Sequence, residues 1–397
     1  MPLDVVSTLS DLVSRPSVNP MGRKVTGPEY LEHRVTEYLV QLFEQLRLPY
    51  ELQQIEPQRS NLFARLDGAR DPRDGGQLIV FEAHQDTVPV DGMTIPPWTP
   101  TVKDGRLYGR GACDIKGGMA CMLTAISRLA EQRPADMPTI IMACSVNEEF
   151  GFSGAKDLGQ LWARGESRLV PRVPDAVIVA EPTDLEVVVA HKGVMRWSIT
   201  TRGRASHSSK PELGVNAVYS MAKVLNVLEE YARDVVAHRA HHPLVGRPSL
   251  SVGLIAGGIS VNTVPDFCAI QVDRRVLPTE NGQQARDHVI DYIAERVAPP
   301  VEVFHETPML SSPGLSDARN SALAARLASV IREHGGAGNC VGVPYGTNAP
   351  AYDRIGAPTV VFGPGSIAQA HTADEWIEIE ELHRAVEMLT TFGARGL

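Results

Sequence analysis

Short apolar runs alternate with stretches of helical periodicity along most of the chain. Four runs of strand length lie at 78–81, 138–146, 176–180 and 358–362. Helices are predicted at 5–14, 29–46, 116–131, 154–164, 320–334 and 378–393. Strands that alternate with helices are typical of an α/β fold with a mostly parallel sheet flanked by helices.

A stretch of different character separates the third and fourth apolar runs. Its pattern predicts a strand at 186–202, a helix at 214–235, a strand pair at 249–256 and 266–277, a helix at 282–296 and a strand at 300–306. The order βαββαβ is that of the ferredoxin-like split unit. We therefore predict a domain inserted at 187–306 into an outer domain formed by 1–186 and 307–397.

Acidic residues and histidines follow the ends of all four apolar runs. They are His84 and Asp86, then Glu148 and Glu149, then Glu181, and finally His371. Asp114 lies in a glycine-rich turn before a helix. Ligands bind at the carboxyl ends of strands in parallel sheets, so the recurrence favours one shared site over solvated strand ends without a common role.

The residue types of this set indicate metal chemistry. Histidine and carboxylate ligands without cysteine suit zinc, with cobalt or manganese as substitutes. Five probable ligands are too many for one open site, but they divide well over two ions that share a bridging carboxylate. Two metals ~3.5–4 Å apart can activate water and polarise a carbonyl oxygen. Of the neighbours Glu148 and Glu149, one can bind metal while the other acts as general base.

Composition limits the other classes of function. Of 397 residues, 38 are basic and 47 acidic, which gives a formal charge of -9 and argues against nucleic acid or an anionic membrane as partner. No apolar run approaches the ~20 residues that span a bilayer. The N-terminus has no signal-peptide pattern, and we expect a cytoplasmic protein.

The five cysteines form no CxxC pair. We expect buried, reduced thiols. The alternative is a nucleophile at Cys113, which adjoins Asp114, or at Cys144, which lies in the strand before Glu148; neither has a base at an obvious spacing.

Six segments taken together resemble the M20 metallopeptidase family. They are FEAHQDTVP, GRGACDIKGG, VNEEFGFSGA, AEPTD, HKGVMRWSITTRGRASHSS and QAHTADEW. This family contains acetylornithine deacetylases, succinyl-diaminopimelate desuccinylases, aminoacylases and glutamate carboxypeptidases. The resemblance covers nearly the whole chain in the right order. It implies a zinc-peptidase-like catalytic domain, an inserted lid and dimerisation domain, a homodimer, and a small N-acyl amino acid or dipeptide as substrate.

The resemblance also implies a role for each residue at the strand ends. Asp114 would bridge two zinc ions, His84 and Glu181 would complete one, Glu149 and His371 would complete the other, Glu148 would act as general base and acid, and Asp86 would orient His84.

Further roles are implied for residues in and after the inserted domain. His207 matches a histidine that binds the oxyanion in the neighbouring subunit's site, and Asn262 and Arg275 match substrate-binding residues. An arginine fork suits a carboxylate, and Arg274 is the competitor, on the opposite face of the strand. The segment YGTNAP resembles the GTxAP of acetylornithine deacetylases and implies substrate binding by Gly346, Thr347 and Asn348. Asn348 stands where that branch often carries an acid.

We therefore predict a dinuclear zinc amidohydrolase that cleaves a small N-acyl amino acid. A dipeptidase or carboxypeptidase with the same metal site is the first alternative. A metal-binding homologue without activity is the second, and Glu148 argues against it, because such a protein needs no base beside its ligands.

Overall fold

The computed structural model describes residues 2–397. Its α-helices are α1 (Val5–Val13), α2 (His33–Gln45), α3 (Lys116–Gln132), α4 (Ser153–Ala163), α5 (Ala217–Glu230), α6 (Gly282–Arg296), α7 (Ser321–Glu333), α8 (Ala349–Asp353) and α9 (Ile379–Arg395). Its strands are β1 (Tyr50–Glu56), β2 (Arg59–Leu66), β3 (Leu78–His84), β4 (Thr101–Lys103), β5 (Arg106–Tyr108), β6 (Thr139–Ser145), β7 (Ala176–Val179), β8 (Val187–His191), β9 (Gly193–Arg202), β10 (Ser206–His207), β11 (Ser249–Gly257), β12 (Thr263–Val264), β13 (Phe267–Val276), β14 (Glu302–His305), β15 (Leu310–Ser312), β16 (Cys340–Val343), β17 (Thr359–Val361) and β18 (Trp376–Glu378).

The chain divides into two compact units. The first comprises Met1–Val189, Ser316–Val341 and Thr347–Leu397, and the second comprises Ala190–Leu315 and Gly342–Gly346. No helix among residues 2–397 is long and apolar enough to cross a membrane.

The first unit is built on a sheet of order β1-β2-β6-β3-β7-β17-β8-β16. The neighbours β6, β3, β7 and β17 run parallel, whereas β1, β2 and β8 pair antiparallel. The α/β fold with a mostly parallel central sheet is therefore confirmed. β3 and β6 are buried at every position, as expected for central strands with both faces covered.

The core of the first unit fixes the position of these strands. Phe81 of β3, Met142 of β6 and Phe392 of α9 are fully buried in one apolar cluster. Truncating a buried aromatic side chain such as Phe81 to alanine typically costs about 3–5 kcal/mol. The carboxyl ends of the parallel strands therefore form a rigid edge on which functional side chains can be held.

The second unit has the order of elements predicted for the insertion. Its antiparallel sheet has the order β11-β13-β9-β14, and β15 also pairs with β9. The helices α5 and α6 pack on this sheet around Trp197, Met221, Ile270 and Ile293. The elements β9, α5, β11, β13, α6 and β14 reproduce the βαββαβ pattern.

The predicted strand at 186–202 is two strands in the structure. β8 joins the sheet of the first unit, whereas β9 joins the sheet of the second. Gly193 begins β9 where a side chain has no room, because a Cβ there would lie 2.5 Å from backbone atoms of 312–314. The hydrophobic pattern runs on through this point, so the sequence does not reveal the break.

The cysteine prediction needs one correction. Cys113, Cys121, Cys144 and Cys268 are buried free thiols, but Cys340 is exposed. Burial raises the pKa of the Cys113 and Cys144 thiols far above the ordinary value, so neither forms a thiolate near neutral pH. This result argues against the cysteine nucleophile.

Candidate metal centre

The carboxyl edge of the parallel strands carries most of the predicted metal ligands. His84 is the last residue of β3, and Glu149 follows β6 by four residues. Glu181 follows β7 by two residues, and His371 lies in the loop after β17. Strand order therefore places side chains from distant parts of the sequence at one edge.

Asp114 joins these residues into two groups. Ligand atoms of His84, Asp114 and Glu181 lie within 4.8 Å of one another, and so do those of Asp114, Glu149 and His371. Asp114 Oδ1 lies 3.3 Å from His84 Nε2, and its Oδ2 lies 3.2 Å from His371 Nε2. The two oxygens of Asp114 therefore face different histidines, as a bridging carboxylate requires.

The hydrogen bonds of His84 leave one ring nitrogen free for a metal. Nδ1 lies 2.9 Å from the main-chain oxygen of Asp86, which can only accept, so Nδ1 carries the proton. Nε2 is buried, has no hydrogen-bond partner among residues 2–397, and lies 3.3 Å from Asp114 Oδ1, so it is the nitrogen that a metal would take. Glu149 Oε1 is likewise buried without a partner. These atoms and the mixed donor set fit zinc.

The electrostatics of the edge also favour a cation. Burial, reinforced by neighbouring carboxylates, raises the pKa of Glu148 and Glu181 well above the ordinary value and that of Glu149 to about 7. Contacts with Asp114 and Glu149 raise the pKa of His371 to about 10. The carboxylates thus retain protons where they crowd together, and a divalent ion can replace those protons.

Asp86 contacts several groups of the centre and not His84 alone. Its Oδ1 accepts from the backbone N–H of Glu148 and its Oδ2 from that of Glu149, both at 3.1 Å. The carboxylate is 3.6 Å from His84 Nδ1, farther than the main-chain oxygen of the same residue. Burial would raise the pKa of Asp86, but interactions with His84, Asn19 and Arg59 hold it at about 2. Glu148 itself belongs to neither ligand group.

Glu375 supports the centre, although no sequence pattern predicts this role. Its Oε2 accepts from Arg110 Nη1 at 2.7 Å and from the N–H of Gly111 at 3.0 Å. Its Oε1 accepts from the N–H groups of Cys113 at 2.9 Å and Asp114 at 3.0 Å. The buried carboxylate thus fixes the loop that carries Asp114, which continues through a cis peptide bond to Ile115. Its only signal was its place in QAHTADEW, four residues after His371.

The remaining predicted residues lie largely in the second unit. His207 is exposed in the β10–β12 ribbon, where Ser208 N donates to Asn262 O at 3.0 Å. The structure therefore brings His207 and Asn262 close together. Arg275 is 28% exposed, and its Nε donates to Asp273 Oδ1 at 2.8 Å. Arg274 faces the opposite side, fully buried, and pairs with Glu280.

The segment 346–348 is partly inaccessible. Gly346 is half-buried and belongs to the second unit, whereas Thr347 and Asn348 are buried in the first. Asn348 Nδ2 donates to Glu82 Oε1 at 3.1 Å and to Ser145 Oγ at 3.0 Å. These contacts support a structural role of Asn348 beneath the strand edge, and direct substrate binding by this segment stays a prediction.

Comparison with known proteins agrees with this geometry. The family model described as Peptidase family M20/M25/M40 matches residues 80–394, which is most of the chain. This chain belongs to peptidase family M20/M25/M40. The predicted resemblance to the M20 family is therefore confirmed, and membership identifies the chain as a hydrolase that acts on amide bonds.

Individual relatives of this M20 protein cover almost its whole length. An acetylornithine deacetylase of Proteus mirabilis is 31% identical over 393 residues, which are 95% of this chain and 93% of that protein. A tripeptidase structure from Staphylococcus aureus is 22% identical, covers 98% of both chains and has a TM-score of 0.76. A dinuclear metal-binding M20 peptidase from Bacillus subtilis is 16% identical with a TM-score of 0.67, over 98% of this chain and 96% of that one. The two structures establish the shared fold.

Proposed function

We propose that this M20 protein is a dinuclear zinc amidohydrolase that removes the acyl group from a small N-acyl amino acid. One observation carries the proposal: two ligand groups share Asp114, and Glu148 lies beside them without belonging to either. The similarity to acetylornithine deacetylases favours an N-acetyl amino acid as substrate.

The residues of the first unit would have separate roles in metal binding and proton transfer. His84 and Glu181 would hold one ion, Glu149 and His371 the other, and Asp114 both. When bound, the ions would act as Lewis acids toward water and the amide carbonyl. Glu148 would take a proton from the attacking water and give one to the leaving amine. The raised pKa of Glu148 suits a group that must hold a proton between these steps.

The second unit would contribute substrate recognition. The Arg275 guanidinium would bind the α-carboxylate of the substrate, and Asn262 would bind the substrate nearby. His207 would stabilise the oxyanion in the site of a second chain, which makes a homodimer the functional form. The exposed ribbon that carries His207 and Asn262 is compatible with these roles.

A substrate screen tests the proposal directly. The purified chain, loaded with zinc or cobalt, would be offered acetyl-, succinyl- and formyl-amino acids, and release of the free amine would be measured. We expect turnover of acetylated amino acids. A protein that binds two metals per chain but hydrolyses none of these compounds or dipeptides would contradict the proposal and support the inactive homologue.

A peptidase with the same metal site is the second candidate. Asn348 occupies the position where acetylornithine deacetylases often carry an acid, and its amide is bonded to Glu82 and Ser145. Dipeptides in the same screen separate the two candidates. Faster hydrolysis of dipeptides than of every acetyl-amino acid would identify a peptidase.

A further inference from the structure

Asn19 lies in the first unit, far from the metal ligands in sequence, yet it contacts the residues around the base. Its segment runs beside the residues after β3: Asn19 N donates to Thr87 O at 2.8 Å, and Thr87 N donates to Ser17 O at 3.0 Å. The side chain of Asn19 is buried against Asp86 and Asn147. It touches none of the predicted metal ligands through a hydrogen bond that the structure records among residues 2–397.

The amide of Asn19 connects two polar groups that need a donor. Its Nδ2 donates to Asp86 Oδ2 at 2.8 Å and to Asn147 Oδ1 at 2.9 Å. Its Oδ1 accepts from the N–H of Met21 at 3.0 Å. The carboxylate of Asp86 can only accept, and Met21 N–H can only donate, so the orientation of the amide is determined. We refer to this arrangement as the Asn19 bridge.

Both ends of the Asn19 bridge act on the turn that carries Glu148. Asp86 accepts from the backbone N–H groups of Glu148 and Glu149. Asn147 precedes them with φ of 60°, in the left-handed region that asparagine tolerates better than most non-glycine residues. The contacts of its side chain therefore fix the direction in which the chain enters the turn.

Other contacts of Asn147 complete this support. Its backbone N–H donates to Glu32 Oε1 at 3.1 Å, and its Nδ2 donates to Ser153 Oγ at 2.9 Å. The Asn19 bridge connects Asn147 to Asp86, and it adds to the hydrogen bonds by which Asp86 already holds the turn after β6.

We propose that Asn19 is a positioning residue, which through Asp86 and Asn147 holds the main chain of Glu148 and Glu149 in the orientation that the general base needs. This inference rests on the proposed function. It predicts that loss of the Asn19 bridge lowers kcat at zinc concentrations that keep both metal sites filled, and that it leaves KM largely unchanged. A residue that merely stabilised the fold would not separate these quantities.

The test compares two isosteric substitutions of buried asparagines. Asn19→Asp removes both side-chain donors and places a carboxylate against Asp86. Asn320→Asp is the control, because Asn320 Nδ2 also donates to several acceptors, the main-chain oxygens of Val189 at 2.9 Å, Thr359 at 2.8 Å and Ser316 at 3.3 Å, none of which belongs to the Asn19 bridge. Both variants lose comparable hydrogen bonds, but only the first touches the Asn19 bridge.

With saturating zinc we expect Asn19→Asp to lower kcat by about 10–100-fold, the usual cost of losing a residue that supports a metal-site group. KM should stay near that of the wild type, and two metals per chain should remain. Asn320→Asp should keep the wild-type kcat. A kcat for Asn19→Asp equal to that of the control overturns the proposal. If Asn19→Asp does not fold, Asn19→Ser, which retains one donor, should show the same separation with a smaller loss.

Hydrogen exchange separates failure of this inference from failure of the proposed function. The amides of Glu148 and Glu149 are bonded to Asp86, so they should exchange slowly in the wild type and faster in Asn19→Asp, but not in Asn320→Asp. If the wild type hydrolyses no substrate, the proposed function fails, and hydrogen exchange alone tests whether Asn19 positions the turn. Unchanged exchange at both amides in the Asn19 variants overturns the positioning role of Asn19.

Discussion

Replacing Glu375 with alanine should weaken both the fold of the first unit and its affinity for metal. The substitution removes the acceptor that Glu375 provides for three loop N–H groups, those of Gly111, Cys113 and Asp114, and for the buried Arg110 guanidinium. Breaking a buried ion pair by deleting one partner costs about 3–5 kcal/mol, because the remaining charge is left uncompensated. We expect a loss of unfolding free energy in this range, because water would enter the space and accept hydrogen bonds from only some of the loop N–H groups.

The metal effect follows from the position of the loop. The N–H of Asp114 is one of the four donors, so its carboxylate loses its fixed direction when Glu375 is absent. Loss of such a support typically lowers metal affinity by about 10–100-fold. Zinc titration with a competing chelator would measure this affinity, and urea unfolding of the metal-free protein would measure stability.

Glu378→Ala is the matched control for Glu375→Ala. Glu378 lies three residues later and pairs with Arg106 at 2.7 Å, but both side chains are 37% exposed, and an ion pair that water reaches contributes less than a buried one. Glu375→Gln should fall between the two, because one oxygen still accepts while the amide nitrogen faces two donors. Equal stability and equal zinc affinity of Glu375→Ala and Glu378→Ala would refute the reasoning.

Three further predictions concern the proposed chemistry. Glu148→Ala should lower turnover by about 10²–10⁴-fold while two metals stay bound, because the residue is a base and not a ligand; loss of one ion in metal analysis would make it a ligand instead. Arg275→Ala should raise KM for substrates with a free α-carboxylate but not for their amides, whereas Arg196→Ala, which removes the other arginine bonded to Asp273, should change neither. An equal defect on both kinds of substrate would contradict carboxylate binding. An equimolar mixture of His207→Ala and Glu148→Ala chains should recover about a quarter of wild-type activity, because random exchange makes half of the dimers mixed and each mixed dimer has one intact site of two. Mixed dimers that native mass spectrometry detects but that remain inactive would exclude a shared site.

The sequence predicted those features that follow from a local pattern, such as polar residues directly after an apolar run. His84, Glu148 and Glu181 follow apolar runs directly, and a parallel sheet brings such positions to one edge. The inserted unit was readable because its strands and helices differ in period from the flanking segments. Both predictions depend on residues near one another in the chain.

Features that arise from tertiary contact left no comparable signal. Asn19 lies 67 residues before Asp86 and 128 before Asn147, and Glu375 lies 261 residues after Asp114. Each is a single polar residue outside a periodic pattern, so nothing local distinguishes it from a solvated side chain. The exposure of Cys340 was missed for the same reason, since burial of a residue at the start of a strand depends on its neighbours in space.

The contacts of Asp86 differ from those that its spacing from His84 suggests. A carboxylate two residues after a ligand histidine reads as the acceptor that orients the ring. In the structure the nearer acceptor is the main-chain oxygen of residue 86, which any amino acid at this position would supply. The carboxylate instead accepts from Glu148, Glu149 and Asn19. The carboxylate of Asp86 therefore holds the turn that carries Glu148 at least as much as it holds His84. The main-chain oxygen and the side chain of Asp86 thus support two different parts of the centre, and the His-x-Asp spacing does not distinguish them.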